Sequence, residues 1–288
     1  MKLNAECILC LLKRHTATAE SVGSEDQVTA FARDLMDMMV KGPEEQSAPW
    51  YTPEITRLFT AHFGLSDDRY AEEKDSSNRF FLEREDHIRS LVTESDDPLY
   101  AGLQCAILGN YIDFSALQGE VSFERLDEML ALAKTFAVDR ENFAALRADL
   151  ETGRELLYLT DNAGEIGFDK IWLETIHRLY PSLSITVCVR GGPTQNDATV
   201  EDARIVGMPF PVIGNGNRIP GTQIDMLSEE AKQALDDADV ILAKGMANCE
   251  TMLGCGYNIY YAFLVKCQRF VSRFGKPMFT PMLVAEKE

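Results

Sequence analysis

Residues 155–165 read Glu-Leu-Leu-Tyr-Leu-Thr-Asp-Asn-Ala-Gly-Glu, an apolar run that ends in adjacent acidic and amide side chains before a glycine. The run predicts a buried strand over 155–160, and residues 165–180 have the spacing of the helix that follows it. In open α/β sheets such a turn presents polar groups beyond the carboxyl end of the strand, where ligands bind. The oxygen atoms of Asp161 and Asn162 suit hard divalent cations. Taken alone, the turn leaves two interpretations open, a metal centre or a helix N-cap with Glu165 in the first turn.

The alternation of strands and helices continues to the C-terminus, whereas the first half of the chain is helical in pattern. Further strands are predicted at 183–189, 210–213 and 240–243, another apolar run at 260–267, and helices at 200–206 and 226–234. In the first half, helices are predicted at 7–19, 26–40, 53–63, 80–95, 98–113, 123–136 and 141–150. We therefore expect an α/β fold in which a helical N-terminal region, 1–150, packs on a mostly parallel, Rossmann-like sheet region, 151–288, that binds metal and phosphate.

The composition restricts the class of partner. The 288 residues include 28 basic and 46 acidic side chains, a formal net charge of −18, which disfavours nucleic acids and anionic membranes as partners. No apolar stretch approaches the roughly 20 residues of a membrane-spanning helix. The first residues do not resemble a secretory signal, and the seven cysteines are an odd number with one close pair. We expect a cytoplasmic protein with reduced thiols that acts on a small molecule; the sequence leaves its oligomeric state open.

Polar side chains follow three of the predicted strands. They are Asp161, Asn162 and Glu165 after the first, Asn196 and Asp197 after the second, and Lys244, Asn248 and Glu250 after the strand at 240–243. Because the carboxyl ends of parallel strands lie on one edge of a sheet, we expect these groups to converge. Carboxylates, amides, a lysine and glycine turns together fit a hard cation bound beside a phosphate. Each cluster also has a plainer interpretation, as a turn and helix cap at 196–199 and as a solvated lysine at Lys244.

Cys7 and Cys10 form a CxxC motif on a predicted helix. A structural zinc site would need a second pair, and no other CxxC exists in the chain; His15 is the extra ligand nearest in sequence. A redox motif of this kind would follow a strand, which is not predicted here. The pair could equally be two small residues on the core side of the helix, so its role is left open.

Several stretches match one family in the right order along nearly the whole chain. They are Cys7-x-x-Cys10, Asp68-Arg69-Tyr70, Asp97-Pro98-Leu99, Gly109-Asn110-x-Ile112-Asp113-Phe114, the turn at 161–165, Asn196-Asp197-Ala198-Thr199, Pro220-Gly221-Thr222 and Lys244-Gly245-x-x-Asn248-x-Glu250-Thr251. On these stretches the chain resembles the metal-dependent damage-control phosphatases, formerly domain of unknown function 89, in their bacterial and archaeal branch. Two departures, Cys249 in place of an aromatic residue and Met246-Ala247 in place of Gln-Gly, affect the expected pocket shape and leave the expected ligands intact.

The resemblance implies one divalent metal ion, Mn²⁺, Mg²⁺, Co²⁺ or Ni²⁺, and hydrolysis of small phosphomonoesters such as sugar phosphates or damaged phosphometabolites. By motif match the metal ligands are Asp161, Asn162 and Asp197, and the phosphate is held by Lys244. The further substrate-binding residues are expected to be Asn110, Asp113, Asn248 and Glu250.

The reaction that the resemblance implies is hydrolysis by a metal-activated water. The catalytic residues are then Asp161, Asp197, Lys244 and Glu165. A carboxylate, Glu165 or Asp197, would orient the water, although direct attack by Asp161 stays open. Two other functions also remain as alternatives, a methyltransferase-like enzyme with a nucleotide-like cofactor and a non-catalytic metal- or thiol-binding module centred on Cys7 and Cys10.

Overall fold

A six-stranded sheet forms the centre of the molecule. The computed structural model describes residues 1–112 and 122–286. The strands are β1 (Glu155–Leu159), β2 (Ser184–Val189), β3 (Val212–Gly214), β4 (Val240–Lys244), β5 (Ile259–Leu264) and β6 (Pro281–Glu286), in the spatial order β3-β2-β1-β4-β5-β6. Every neighbouring pair is parallel except β5 and β6, which are antiparallel. The predicted α/β class with a mostly parallel sheet is confirmed.

The described residues of the first half of the chain form seven α-helices and no strand. They are α1 (Ala5–Glu20), α2 (Glu25–Lys41), α3 (Thr52–Phe63), α4 (Ala71–Thr93), α5 (Pro98–Gly109), α6 (Phe123–Ala131) and α7 (Arg140–Thr152). Helices α4 to α7 share one hydrophobic core with a face of the sheet, whereas α1 to α3 enclose a separate core around Phe31, Tyr51 and Phe59. The predicted division into two regions near residue 150 stays a prediction. In the structure, one hydrophobic core contains residues from both sides of it.

Five helices of the second half cover both faces of the sheet. They are α8 (Glu165–Leu179), α9 (Val200–Ile205), α10 (Glu229–Asp237), α11 (Gly245–Met252) and α12 (Gln268–Phe274). Side chains of α8 and α9 join the core that α4 to α7 form with the sheet, and side chains of α10, α11 and α12 cover the opposite face. Within 1–112 and 122–286, no helix combines the length and apolarity needed to cross a membrane.

Several predicted boundaries were wrong, one of them by nine residues, and two α-helices and one β-strand were not predicted. The strand expected at 210–213 lies at Val212–Gly214, and the helix expected at 226–234 is Glu229–Asp237, because the Ser228 hydroxyl caps it by accepting from the Ala231 amide at 3.2 Å. The apolar run at 260–267 is a strand only to Leu264, helix 80–95 begins already at Ala71, and helix 98–113 ends at Gly109. The unpredicted elements are α11, α12 and β6.

The order of the strands places a crevice at β1. From β1 the chain first builds β2 and β3 on one side and then crosses to build β4, β5 and β6 on the other. Such a reversal leaves the loops that follow the two central strands on opposite sides of a gap, where ligands bind in open α/β sheets. The loops after β1 and β2 and the start of α11, which follows β4 directly, carry predicted site residues and meet at this position.

Candidate active site

The loops that follow β1 and β2 are tied together by backbone hydrogen bonds. The amide of Ala198 donates to the carbonyl of Asp161 at 2.7 Å, and the amide of Ala163 donates to the carbonyl of Asn196 at 2.9 Å. Asn162 and Asp197 face each other in an isolated antiparallel bridge. Two clusters that are 35 residues apart in the chain therefore share one position at the sheet edge.

Asp161, Asn162 and Asp197 line one cavity of about 480 Å³. The side-chain amide of Asn162 donates to Asp161 Oδ2 at 2.9 Å, and all three residues are buried. Two carboxylates and one amide are oxygen donors of the kind that Mg²⁺ and Mn²⁺ prefer. Among the described residues no group of three or more His, Cys, Asp or Glu is placed to hold a metal, so solvent or substrate oxygens would have to complete the coordination. The three residues fit a divalent cation, and their role as ligands stays a prediction.

Arg190 holds Asp197 in place, a role that the sequence did not predict. The arginine follows β2 directly and is 1% exposed. Its Nε donates to Asp197 Oδ2 at 2.6 Å and its Nη2 donates to the carbonyl of Thr160 at 3.0 Å. A planar guanidinium with two fixed partners sets the direction of the carboxylate. Its position directly after a strand was the available signal.

Glu165 lies behind the cavity rather than on its wall. The carboxylate is fully buried and accepts hydrogen bonds from the side-chain amides of Asn162 at 2.8 Å and Asn110 at 3.0 Å. The Asn110 amide also donates to Asp161 Oδ2 at 3.0 Å. These contacts fix the orientation of two amides and of Asp161. The predicted role of Glu165 in orienting a water stays a prediction, and its contacts are those of a supporting residue.

Lys244 is sealed beneath the site. Its Nζ donates to Glu165 Oε1 at 2.7 Å, to Asp169 Oδ1 at 2.5 Å and to the carbonyl of Ala106 at 2.9 Å, and the side chain is 0% exposed. Burial alone would lower the pKa of Lys244, but the two carboxylates outweigh it and raise the pKa. The three donors of the ammonium have three protein acceptors, so in this arrangement none is directed at the cavity. Contact between Lys244 and a phosphate stays a prediction, and the three bonds of Lys244 to the protein do not favour it.

Asp169 completes the buried group around Lys244. The hydroxyl of Tyr158 donates to Asp169 Oδ1 at 2.7 Å, and Asp169 Oδ2 has no hydrogen-bond partner among the described residues. Burial raises the pKa of Asp169, although Lys244 opposes the shift. Neither Asp169 nor Tyr158 was predicted, since nothing in the helical pattern of 165–180 distinguishes a core-facing carboxylate from an exposed one.

Asn248 joins three loops beneath the crevice. Its amide donates to the carbonyl of Lys244 at 2.6 Å and to the carbonyl of Thr160 at 3.1 Å, and its Oδ1 accepts from the hydroxyl of Thr222 at 2.8 Å. The residue is fully buried and is not on the cavity wall. The predicted contact between Asn248 and substrate stays untested, and the observed bonds are internal to the protein.

A lysine that the sequence did not single out does reach the cavity. Lys266 follows β5, and its Nζ donates to the carbonyl of Asn110 at 2.6 Å. The side chain lines the same cavity as Asp161, Asn162 and Asp197. Lys266 lies in the apolar run predicted at 260–267, where a lysine indicates only the end of a strand. The structure thus places a cation on the wall that carries the candidate metal ligands.

The remaining predicted residues are divided between the cavity wall and its support. Glu250 lines the cavity from α11, and Asn110 supports Asp161 from the end of α5. Asp113 lies outside the described residues. Cys7 and Cys10 line the cavity from α1, and Cys267 lines it from the loop after β5. Cys7 Sγ lies 2.9 Å from Arg269 Nη1, and burial raises the pKa of the Cys7 thiol.

Comparison with known proteins gives one consistent result. A family model described as the damage-control phosphatase ARMT1-like domain matches residues 3–280. A damage-control phosphatase of Archaeoglobus fulgidus is 30% identical over 281 residues, which cover 96% of this chain and 96% of the relative. A damage-control phosphatase of Pyrococcus horikoshii is 29% identical over 271 residues, covering 93% and 92%. The crystal structure of a DUF89 family protein from Pyrococcus horikoshii superposes with a TM-score of 0.83 at 26% identity and covers 100% of both chains.

Proposed function

Because the chain belongs to the damage-control phosphatase ARMT1-like family, we propose that it hydrolyses small phosphomonoesters, sugar phosphates or damaged phosphometabolites, with the help of one divalent metal ion. One observation carries the proposal: Asp161, Asn162, Asp197 and Lys266 line a single cavity at the point where the strand order reverses. Two carboxylates and an amide suit the cation, and a lysine beside them suits the phosphoryl oxygens. A cavity of about 480 Å³ is of the size that binds a small metabolite.

The residues that would hold the cation are Asp161, Asn162 and Asp197. When bound, the cation would neutralise charge on the phosphoryl group and lower the pKa of a water. Lys266 would hold a phosphoryl oxygen as a point charge. Arg190 keeps the Asp197 carboxylate in one orientation, and Glu165 does the same for the amide of Asn162. Asp197 is the better placed carboxylate to orient a water, since Glu165 is not on the cavity wall.

The alternative of a methyltransferase-like cofactor site is not favoured by the turn after β1. Such a site needs glycines that leave room for a ligand beside the turn. Gly164 has φ 77°, and a methyl group added there would lie 2.6 Å from the carbonyl oxygen of Ser77. The space beside this glycine is therefore filled by α4, which packs against the turn.

The test is phosphate release by chelator-stripped protein to which Mg²⁺, Mn²⁺, Co²⁺ or Ni²⁺ is returned singly. The substrates are p-nitrophenyl phosphate and a panel of sugar phosphates, and Mn²⁺ binding is followed separately by electron paramagnetic resonance. We expect metal-restored hydrolysis, and we expect Asp161→Asn and Asp197→Asn to lose both turnover and Mn²⁺ binding. Asp96→Asn, an exposed acid far along the chain from the site, is the matched control. A folded protein that releases no phosphate with any metal would refute the proposal.

A further inference from the structure

Glu250 lies on helix α11 and lines the same cavity as the candidate metal ligands Asp161, Asn162 and Asp197. Helix α11 begins at Gly245, whose backbone lies against Asp161; a methyl group added to Gly245 would be 2.0 Å from Asp161 Oδ2. Met246, Ala247 and Glu250 all line the cavity, so one face of α11 forms part of its wall. At a rise of 1.5 Å per residue, the Glu250 backbone is about 7.5 Å along the helix from Gly245. Helical side chains lean toward the N-terminus, which here is the direction of Asp161.

The carboxylate of Glu250 is poorly satisfied by the protein. Its Oε2 is buried and has no hydrogen-bond partner among the described residues. Buried polar atoms without partners are rare in folded proteins, and such an atom on a cavity wall points to a ligand group that would complete it. Glu250 lines the cavity, whereas Glu165 and Asp169 do not, so its carboxylate is accessible to a molecule bound there.

Charged and titratable groups approach Glu250 from several elements. The cations are the Met1 amino group, Arg14 of α1 and Arg269 of α12, and the thiols are those of Cys7, Cys249 and Cys267. The guanidinium of Arg269 is engaged elsewhere, with Cys7 Sγ and with the carbonyl of Lys2. Burial raises the pKa of Glu250 against the opposing effect of the three cations. Near neutral pH, a larger fraction of the Glu250 carboxyl is therefore protonated than of an ordinary glutamate.

We propose that Glu250 is the general acid that protonates the leaving-group oxygen of the phosphomonoester. The inference rests on the proposed function and assigns the step that the metal ligands and Lys266 leave open. As water adds to phosphorus and loses a proton to a nearby carboxylate or to solvent, the ester P–O bond breaks. The proton of the Glu250 carboxyl passes to the ester oxygen, which leaves as a neutral alcohol, and the carboxylate is protonated again from water. No oxidation or reduction occurs.

The proposal makes Glu250 necessary only for leaving groups that depart poorly as anions. A sugar alcohol needs a proton in order to leave, whereas p-nitrophenolate is a stable anion that leaves without one. Glu250→Gln should therefore lower kcat/KM for a sugar phosphate by about 10²- to 10⁴-fold, the usual contribution of a general acid. Hydrolysis of p-nitrophenyl phosphate by the same variant should stay within about threefold of wild type. A residue that only supports the fold would affect both substrates alike.

The experiment compares wild type, Glu250→Gln and Glu250→Asp on both substrates, with Glu20→Gln as the control at an exposed acid of α1 that does not line the cavity. The activity of wild type on the sugar phosphate should fall as pH rises through the pKa of Glu250, which gives the pH profile a descending limb. The pH profile of Glu250→Gln should lack this descending limb. Glu250→Asp should restore part of the activity on the sugar phosphate. Equal losses on both substrates in Glu250→Gln, or an unchanged descending limb, would overturn the assignment while leaving the phosphatase intact. No hydrolysis of either substrate by wild type would overturn the proposed function itself, and this inference with it.

Discussion

The ammonium of Lys244 lies 2.7 Å from the carboxylate of Glu165, and neither side chain reaches solvent. Lys266, in contrast, donates to a backbone carbonyl at 2.6 Å and lines the cavity. Lys244 is the last residue of β4 and Lys266 follows the neighbouring parallel strand β5, yet the two lysines have different surroundings. Lys244 neutralises buried carboxylates behind the cavity, whereas Lys266 lies on the cavity wall, where we propose that it holds a phosphoryl oxygen.

Replacing each lysine by methionine should separate these two roles. Lys244→Met leaves Glu165 and Asp169 buried without their shared cation, and removal of one partner from a buried ion pair typically costs about 3–5 kcal/mol of unfolding free energy. Lys266→Met should cost less stability, of order 1–3 kcal/mol for the unsatisfied carbonyl of Asn110. It should instead lower kcat/KM for phosphomonoesters by at least about tenfold. Urea unfolding and phosphate release measure the two effects.

Lys276→Met is the matched control, because this lysine is exposed after α12 and away from the cavity wall. It should leave both stability and kcat/KM near the wild-type values. A Lys244→Met protein of normal stability that had lost phosphate binding would show that the motif-based role of Lys244 is right. In that case the buried contacts seen here would have to rearrange when substrate binds.

Glycine at position 245 is required for two separable reasons, backbone conformation and space. Its φ is 77°, and a methyl group there would lie 2.0 Å from Asp161 Oδ2. We expect Gly245→Ala to displace the Asp161 carboxylate and to weaken Mn²⁺ binding by about tenfold or more, in addition to the strain of a positive φ. Gly254→Ala isolates the strain, because Gly254 has φ 91° and nothing lies within 4 Å of an added methyl group.

Thermal unfolding and Mn²⁺ titration of the two glycine variants give the comparison. Both should unfold at a lower temperature than wild type, since alanine is disfavoured at positive φ. The loss of Mn²⁺ affinity should be confined to Gly245→Ala. An equal loss in Gly254→Ala would show that general destabilisation, and not the contact with Asp161, is responsible.

The fold was predictable where local pattern and long-range packing agree. The strands around Leu157 and Ile241 are nearly continuous apolar runs, and the strand around Val187 is rich in β-branched residues, as expected for a sheet covered on both faces. The last strand was not predicted: it begins at a proline, Pro281, and Leu283 is its one fully buried residue, since the strand lies at the edge of the sheet. Its antiparallel pairing with β5 depends on a partner that the local sequence does not identify.

The segments that form the site could be predicted from the sequence, whereas the role of each side chain could be predicted less well. Asp161, Asn162 and Asp197 follow strands and meet in one cavity, as parallel topology requires. Lys244 ends a strand, but its side chain is directed at the buried carboxylates of Glu165 and Asp169, and no sequence pattern identifies Asp169 as a buried residue of α8. Lys266 could be found only once the cavity was known. A short motif therefore indicated which segments form the site and did not indicate which side chains face the ligand.

Asn110 offers a test of the network that supports Asp161. Its amide donates to Asp161 Oδ2 and to Glu165, both at 3.0 Å. Asn110→Asp removes this donor and places a third carboxylate beside two others in a buried site. We expect a loss of about 3 kcal/mol or more of unfolding free energy near neutral pH, smaller at acidic pH where one carboxyl takes up a proton. Asn142→Asp, which removes one bond to the carbonyl of Leu283, should cost about 1 kcal/mol, and equal effects of the two substitutions would contradict the network.

Asp169 should give the protein a measurable dependence of stability on pH. Burial raises its pKa in the folded state from an ordinary value of 3.8 to about 7, so the folded protein binds this proton more tightly than the unfolded chain. The resulting stabilisation is fully present below about pH 4 and is lost as pH rises through 7, since the slope of unfolding free energy is negative wherever the folded state holds more protons.

Asp169→Asn keeps an acceptor for Tyr158 and Lys244 but removes the titration. Between pH 4 and 7 its unfolding free energy, from urea denaturation at each pH, should fall less steeply than that of wild type by up to about 1.4 kcal/mol per pH unit. Asp96→Asn, at an exposed position, should keep the wild-type slope. If Asp169→Asn also keeps it, Asp169 is ionised throughout this range, and the bond from Lys244 dominates over burial.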